Sequence, residues 1–367
     1  MRAHPADDEA DAVVIGSGLA GAAIARELAS GKRRVVLVGT SADALDPSHG
    51  QVLVGPGIPY GDAARRWGRD QARQVWEGQR ENADRLRLFV EALRGGCDYR
   101  RAGGFLLAGD RKEGQRLAEG EDMLREDGFP GEFLDHYMLE ARFDVTGFAA
   151  AYWAADDAEL DPSRLRAALR EAALAAGAKA WPTGREVRLE VEGDTAVVET
   201  PDGRVRAPLA VVAVEAGLVG AAVPLARWVR PVAVRGLTLA TAPGAVLPSP
   251  ARTVEGGFSW QVLGGGLRLS RAAPAPTEEE DADLLAMAER LARAPGSERA
   301  WGATAGSSPD GLPVLGRVPG RPLAVALGLG TLAASYAFAA ACWLAEALAS
   351  GRDPTPAPLR ADRFPLV

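Results

Sequence analysis

A glycine-rich turn near the start of the chain is its clearest chemical signal. The apolar stretch Ala12–Ile15 leads into this turn, and an alanine-rich helical segment follows it. A GxGxxG turn between a strand and a helix binds a dinucleotide pyrophosphate, because the glycines permit a tight turn and a close approach of the backbone to the anion. The helix N-terminus adds unpaired N–H groups and a partial positive charge. The sequence therefore predicts a dinucleotide site formed by Gly16, Ser17, Gly18, Leu19, Ala20 and Gly21.

The second strand of this predicted unit lacks the acidic residue that usually ends it. Val35–Val38 is followed by Gly39. In dinucleotide folds an Asp or Glu about 20 residues past the glycines binds the adenosine ribose. We expect the neighbouring hydroxyl of Thr40 or Ser41 to hold the ribose instead.

The composition excludes several other classes of function. The 367 residues carry a net charge of -7, with 47% hydrophobic and 25% charged residues, which is typical of a globular protein of two domains and not of a nucleic-acid-binding surface. Cys97 and Cys342 have no metal-ligand spacing, and the three histidines form no cluster, so we expect buried free thiols and no metal site. The acidic N-terminus lacks the apolar stretch of a secretion signal, which favours a cytoplasmic protein.

One apolar segment imitates a membrane span. Residues 323–344 carry no charge, and the segment is long enough to span a membrane by hydropathy alone. Gly328 and Gly330 divide the segment into a strand-like Leu323–Leu327 and a helical stretch from Ser335 to Ala349. The pattern predicts a buried strand followed by a core helix and no transmembrane segment.

Strands and helices of the kind that must position the glycine turn recur along the chain, and β-rich segments separate them. Helical spacing covers 70–93 and 278–294, and Asp161 with Pro162 provides the cap and first residue of another helix that ends near Gly177. A three-strand meander is predicted within 186–206, and alternating β patterns return between 231 and 273. The order predicts two domains assembled from discontinuous segments.

These segments together resemble the FAD-dependent amino-acid and amine oxidoreductases of the D-amino-acid oxidase, glycine oxidase and sarcosine oxidase family. Besides the opening turn, the resemblance rests on Leu160–Leu169, Val229–Leu237, Trp301-Gly302 and Ser308–Gly316. It implies an α/β fold with a Rossmann-like FAD-binding domain and a discontinuous β-rich α+β substrate domain. The expected FAD-binding segments are 11–85, 150–228 and 302–352, and the expected substrate-domain segments are 86–149 and 229–301.

The resemblance also implies an activity and a set of site residues. Such proteins oxidise the C–N bond of a small amine or amino acid by hydride transfer to flavin N5, here with non-covalent FAD. The expected catalytic residue is Arg268, a cation over the flavin, with an exposed strand arginine as the alternative. Substrate contacts are expected from Tyr60, Arg235, Arg252, Trp260 and Arg271, although each arginine has an exposed or structural role, and each aromatic residue a core role, as its alternative. Further cofactor contacts are expected from Ser48, His49, Gly50, Gln51, Val187, Gly328, Gly330, Thr331, Leu332 and Ala333.

Several positions depart from the family pattern and keep other functions open. Thr331–Ala333 stands where a glycine-rich turn usually packs against the flavin ring, and Glu215 stands where a small residue is usual. Ala303 occupies the position of the cysteine that attaches flavin in some sarcosine oxidases, and His49 lies in a loop where some relatives attach it through histidine. The alternative hypothesis is a catalytically degenerate relative that acts as a partner or structural subunit of an oligomer. An NAD-dependent dehydrogenase is a third hypothesis, since the first strand-turn-helix unit alone does not distinguish an FAD site from an NAD site.

Overall fold

The computed structural model describes residues 6–39, 48–182, 187–201, 203–214, 227–240, 250–264, 266–273, 278–291 and 298–364. Contacts divide the chain into two compact units, each assembled from separated segments. The first unit comprises Met1–Asp46, Pro162–Pro231 and Thr304–Val367. The second comprises Pro47–Asp161 and Val232–Ala303.

The elements are named in chain order. The strands are β1 (Ala6–Glu9), β2 (Ala12–Ile15), β3 (Val35–Gly39), β4 (Gln51–Val52), β5 (Gly104–Ala108), β6 (Gly131–Asp135), β7 (Ala150–Ala154), β8 (Ala158–Glu159), β9 (Lys179–Pro182), β10 (Arg188–Glu192), β11 (Thr195–Thr200), β12 (Gly203–Ala207), β13 (Ala210–Val212), β14 (Arg230–Ala240), β15 (Ala251–Thr253), β16 (Phe258–Leu263), β17 (Gly266–Ala273), β18 (Glu298–Ser307), β19 (Val314–Arg317) and β20 (Leu323–Leu327). The α-helices are α1 (Leu19–Ser30), α2 (Tyr60–Trp67), α3 (Arg69–Glu91), α4 (Arg111–Glu126), α5 (His136–Phe143), α6 (Pro162–Ala175), α7 (Glu278–Leu291) and α8 (Ala337–Ser350). Short 3₁₀ helices cover Gly96–Asp98, Gly330–Ser335, Ala357–Leu359 and Ala361–Arg363.

The first unit is built around a six-stranded sheet in the order β19-β20-β13-β2-β3-β9. Its strands run parallel except β19, which pairs antiparallel with β20. β2 and β3 are buried along their whole length, as expected for parallel strands covered on both faces. On one face α1 packs against α6 and α8, while Val13, Ile15, Val36 and Val38 share a hydrophobic cluster with residues of a second sheet, β1-β12-β11-β10. This arrangement confirms the predicted α/β class and the predicted meander.

The second unit contains an eight-stranded sheet in the order β18-β14-β17-β16-β15-β5-β7-β6. β15 and β5 pair in parallel, whereas β14, β17, β16 and β15 pair antiparallel in succession. One face of this sheet carries Leu237, Trp260 and Leu269, and these side chains form a hydrophobic core with Leu139 of α5 and Leu284 of α7. The opposite face of this sheet lies outside that core and can therefore carry polar residues.

The boundary between the units differs from the expectation drawn from the sequence. Residues 47–85 and 150–161, which were expected in the FAD-binding domain, make their contacts within the second unit. The reason is long-range pairing: β4 pairs with β8, and the side chain of Gln51 donates hydrogen bonds to the carbonyl oxygens of Ala251 and Trp260, each at 3.0 Å. Such contacts leave no signal in local sequence patterning.

The apolar C-terminal segment folds as its glycines predict. β20 is a buried strand of the first unit, Gly328 and Gly330 follow it, and α8 begins at Ala337. Among the helices in the described part of the chain, none is long and apolar enough to cross a membrane.

Candidate functional site

The glycine turn is closely packed at its first and third glycines. Gly16 has a φ of +111°, and a Cβ placed on it would lie 1.9 Å from the carbonyl oxygen of Ala213. A Cβ on Gly21 would lie 1.9 Å from the carbonyl oxygen of Gly16. Any side chain at either position would therefore force strand and helix apart.

The second glycine faces open space at the start of α1. Gly18 is the N-cap residue, and no side chain caps the helix or places an acid in its first turn. Nothing lies within 4 Å of a Cβ placed on Gly18. The first-turn N–H groups of Leu19 and Ala20 have no partner within the helix, so the turn offers donors and space to an anion.

The other predicted cofactor residues of the first unit lie in three places. Gly39 is the last residue of β3. Val187 is partly buried against the hydrophobic cluster of this unit. Thr40, Ser41 and Glu215 lie outside the residues that the structure describes.

The C-terminal glycines Gly328 and Gly330 lie close to the backbone of residues 306–308. Gly328 has a φ of +63° and Gly330 a φ of +54°. A Cβ on Gly328 would lie 3.2 Å from the backbone nitrogen of Ser308, and a Cβ on Gly330 would lie 3.2 Å from the carbonyl oxygen of Gly306. Thr331–Ala333 belongs to the following 3₁₀ helix, in which Thr331 and Leu332 are half-buried and Ala333 is buried. The protein's own packing therefore favours glycine at positions 328 and 330.

The second unit gathers polar side chains on the face of its large sheet that lies opposite the core. Arg268 of β17 stands opposite Gln261 of β16, and Ser270 stands opposite Gly236 of β14. Directly opposed residues, and residues two apart on a strand, share a face of a sheet. Arg252 of β15 belongs to the same face because its partner Ser259 lies two residues before Gln261. We call Arg252, Gln261, Arg268, Ser270 and Trp301 the polar face.

Trp301 of β18 holds the central arginine of this face in place. A Cβ on Gly236 would lie 2.2 Å from the Trp301 ring, so the indole covers this glycine. The guanidinium carbon of Arg268 lies 4.4 Å from the centroid of the Trp301 ring. This is a cation–π contact, which orients a planar guanidinium without neutralising its charge.

His49 reaches the polar face from the loop before β4. Its Nε2 lies 2.6 Å from the Oγ of Ser270, and the ring is buried. Burial, with the positive charge of Arg268 as the smaller cause, lowers the pKa of His49 to about 3. The imidazole is therefore neutral at physiological pH. Within the same loop, the Oγ of Ser48 accepts a hydrogen bond from the Gly50 N–H at 3.2 Å.

The polar face has unsatisfied hydrogen-bonding groups. Gln261 is only 1% exposed, and neither atom of its amide finds a hydrogen-bond partner among the described residues. The buried Nδ1 of His49 and Nε1 of Trp301 are also without a partner there. Buried polar groups are nearly always hydrogen-bonded in folded proteins, so several unsatisfied atoms near one arginine indicate a place for a polar ligand.

A buried ion pair lies beside this face. The carboxylate of Asp157 lies 3.7 Å from the guanidinium of Arg252 and accepts a hydrogen bond from the Val54 N–H at 2.8 Å. Burial raises the pKa of Asp157 to about 6, although Arg252 and the Val54 N–H act in the opposite direction. Both residues line a cavity of about 30 Å³, which has room for a few water molecules, together with Tyr60, Trp76 and Tyr152. The hydroxyl of Tyr60 donates to Asp127.

Three of the predicted substrate residues are not brought together with Arg268. Trp260 is fully buried in the core on the opposite side of the sheet. Arg235 and Arg271 also belong to that side by strand alternation, and they form ion pairs with Asp281 and Asp283 of α7. Their charges are paired away from the polar face, so this geometry gives no support to the substrate role that the sequence suggested for them.

The family model DAO, FAD dependent oxidoreductase, matches residues 11–347 of this sequence. The chain belongs to this family. Its members use FAD, and the residues present fit the diphosphate of that cofactor, because Gly18 leaves an open cradle beside the uncapped start of α1. The family assignment confirms the resemblance from which FAD was expected.

Solved structures of the family share this fold. Glycine oxidase from Geobacillus kaustophilus has 22% identity and a TM-score of 0.79, covering 98% of this chain and 100% of that one. L-proline dehydrogenase from P. horikoshii has 18% identity and a TM-score of 0.75, covering 95% of each chain. Iminodiacetate oxidase from Chelativorans sp. BNC1 has 18% identity and a TM-score of 0.74, covering 95% of this chain and 98% of that one. A search of curated protein sequences found no match.

Four residues of this candidate site were missed from the sequence: Gln261, Ser270, Trp301 and Asp157. A signal existed for the first two, since each is a polar residue at an alternate position of a predicted strand, in phase with Arg268 or Arg252 once the register is known. No local signal marks Asp157 as buried. Its neighbour Asp156 is half-buried, and only the chain fold distinguishes the two.

Proposed function

We propose that this FAD-dependent oxidoreductase oxidises the C–N bond of a small amino acid at the polar face of its second unit. The observation that carries the proposal is the set of unsatisfied buried polar atoms of Gln261 and His49 beside the guanidinium of Arg268. Bound FAD supplies the acceptor of the hydride, at N5, and the resulting imine is hydrolysed by water. The rest of the reaction depends on how the protein holds the substrate.

The arrangement favours a substrate that carries a carboxylate. A guanidinium beside an amide N–H makes charge-assisted hydrogen bonds to a carboxylate, which are about twice as strong as neutral ones. The stacking of Arg268 on Trp301 fixes the direction of the guanidinium before a ligand binds. An amine without a carboxylate would leave Gln261 unsatisfied.

The neutral state of His49 is part of this proposal. A protonated imidazole would place a second positive charge beside Arg268 and would compete for the substrate carboxylate. With its pKa at about 3, His49 instead offers an unprotonated nitrogen at neutral pH. Its Nε2 is engaged by the hydroxyl of Ser270, which can donate to or accept from the ring. We propose that His49 does not attach the flavin and that FAD is held without a covalent bond, since Ala303 also offers no thiol.

Arg252 and Tyr60 have a supporting role in the proposed site. The charge of Arg252 is compensated by Asp157, and the hydroxyl of Tyr60 is engaged by Asp127. Both side chains line the small cavity and shape the wall beside the polar face. We assign the carboxylate to Arg268 because the amide of Gln261 stands directly opposite it on the neighbouring strand.

Anaerobic addition of amino acids to the FAD-loaded protein tests the proposal. Glycine, L-proline and iminodiacetate are suitable probes, because oxidases or dehydrogenases of these compounds share the fold. Loss of the long-wavelength flavin absorption with at least one amino acid, and a slower loss with the matching amine that lacks the carboxylate, is expected. Equal rates with and without the carboxylate would contradict the assignment of Arg268.

The degenerate-subunit hypothesis remains the second candidate, and Gly39 is the observation that favours it, since the usual ribose-binding acid is absent. It predicts FAD that is bleached by dithionite and by no amine or amino acid. Tight binding of NADH without FAD binding would instead support the dehydrogenase hypothesis.

A further inference from the structure

The residue that ends β3 raises a question about how FAD is recognised. Gly39 occupies the position from which an Asp or Glu binds the adenosine ribose in dinucleotide folds. Glycine is often required where φ is positive, but the φ of Gly39 lies outside that region. The backbone alone therefore does not explain a glycine at this position.

The space beside Gly39 supplies the explanation. A Cβ placed on Gly39 would lie 2.8 Å from the Oγ and 3.0 Å from the Cβ of Ser17. Ser17 is only 7% exposed, so its side chain is confined at this point between the ends of β2 and β3. An acidic side chain at position 39 and the serine side chain at position 17 would compete for the same volume.

Position 39 ends β3, and Ser17 lies in the turn that follows the neighbouring strand β2. β2 and β3 pair in parallel, and their carboxyl ends meet at the edge of the sheet where α1 begins. Among the described residues that end these strands or begin the turn, Ile15, Gly16, Ser17 and Gly39, only Ser17 carries a hydrogen-bonding side chain. A hydroxyl can both donate and accept, which is enough to bond a ribose hydroxyl.

We propose that the Ser17 hydroxyl, and not that of Thr40 or Ser41, replaces the missing carboxylate and binds a hydroxyl of the adenosine ribose of FAD. The hydrogen-bonding group has moved from the end of β3 to the glycine turn. Its neutrality also removes a negative charge from the neighbourhood of the diphosphate. This inference concerns the cofactor alone and does not depend on which substrate is oxidised.

The test is the dissociation constant of FAD, measured by titrating the apoprotein and following the flavin fluorescence. Loss of one hydrogen bond predicts that Ser17→Ala binds FAD about tenfold more weakly. The same titration with FAD analogues that carry 2′-deoxy- or 3′-deoxyadenosine identifies the hydroxyl. For the analogue that lacks the bonded hydroxyl, wild type and Ser17→Ala should bind equally. Ser350→Ala, which removes an exposed hydroxyl bonded to Glu346 on α8, is the matched control and should leave all three constants unchanged.

If Ser17→Ala weakens FAD and both deoxy analogues by the same factor, the hydroxyl does not contact the ribose and the proposal is overturned. The same conclusion follows if Ser17→Ala binds FAD as wild type does. Because the loss is expected for FAD and not for the analogue that lacks the bonded hydroxyl, a general loss of stability cannot imitate the expected pattern.

A second pair of variants tests the exchange of positions directly. Gly39→Glu alone should weaken FAD binding, because its Cβ meets Ser17. Ser17→Gly combined with Gly39→Glu restores both the space and an acid, and it should recover affinity to within about threefold of wild type. A double variant that binds FAD no better than Gly39→Glu would contradict the competition between the two side chains.

Discussion

Under the proposed function, the glycine turn of the first unit and the polar face of the second unit recognise ligands by opposite means. The turn works with backbone N–H groups and with space, and its side chains are small or absent. The polar face works with side chains held by neighbouring strands, a stacked tryptophan and a buried histidine. A site of backbone atoms needs only a short run of sequence, whereas a site of side chains needs a whole sheet to bring its members together.

This difference decides where substitutions should act. In the turn, the expected cost of a change depends on the room around the substituted Cα. On the polar face, it depends on the charge and hydrogen bonds that the side chain supplies to a ligand. Pairing each variant with a matched one separates these two causes.

The largest effect is expected at the glycine turn. Gly16→Ala should lower the free energy of unfolding by about 4 kcal/mol or more, because its Cβ would meet the Ala213 carbonyl at 1.9 Å with a strained φ. Gly18→Ala should leave stability almost unchanged and weaken FAD binding, because the methyl group occupies the open cradle. Chemical unfolding and FAD titration measure the two quantities. Equal loss of stability in both variants would contradict the cradle.

On the polar face the largest effect is expected at Arg268. Arg268→Met should lower kcat/KM by about 100-fold, the usual cost of removing one well-placed charged group. Arg235→Met is the control, since Arg235 pairs with Asp281 on the other side of the sheet. It should change kcat/KM by less than about twofold, because exposed ion pairs contribute little. Similar losses in both variants would break the distinction between the two faces.

His49 should give the second unit a characteristic dependence of stability on pH. The folded-state pKa of about 3 lies below the unfolded value of 6.5, so the unfolded chain binds the extra proton between these values. Stability is fully present above pH 6.5 and falls by at most about 1.4 kcal/mol per pH unit as the pH drops toward 3. His49→Asn should lack this contribution, so the stability difference between the two proteins should change only in that window. A constant difference from pH 7 to pH 4 would show that His49 is not buried in its neutral form.

Asp157 changes the stability with pH in the opposite direction to His49. It is present in both wild type and His49→Asn. Its folded-state pKa of about 6 lies above the unfolded value of 3.8, so its ionisation lowers stability as the pH rises between these values. Its contribution therefore cancels when the free energy of unfolding of His49→Asn is subtracted from that of wild type.

The smallest effect concerns Gln261 and has an unusual sign. Gln261→Leu removes a buried amide that lacks partners, so it should raise the free energy of unfolding by about 1 kcal/mol and lower kcat/KM for the amino acid. Gln79→Leu is the control, because Gln79 is equally buried but its amide bonds the Gly55 N–H at 3.0 Å. It should lower the free energy of unfolding by about 1–3 kcal/mol. Calorimetry checks both, and a loss of stability in Gln261→Leu would contradict its role as an unsatisfied group.

The two regions also differ in how far the sequence could predict them. Gly16, Gly18 and Gly21 lie within a few residues of each other, and strand, turn and helix follow in order, so local patterning was sufficient. The polar face joins residues from Arg252 to Trp301 and is contacted by His49, and its register is fixed by pairings such as Gln261 with Arg268. Arg235, Arg268 and Arg271 look alike in sequence, and only strand alternation separates the face that carries Arg268 from the face that carries the other two.

The most direct test is a crystal structure of the protein with FAD and glycolate, which has the carboxylate of glycine but no amine. The account predicts the carboxylate within hydrogen-bonding distance of Arg268 and the Nε2 of Gln261. It also predicts that the FAD diphosphate lies at the first-turn N–H groups of α1. Glycolate bound at Arg235 or Arg271, with the amide of Gln261 still unsatisfied, would contradict the account.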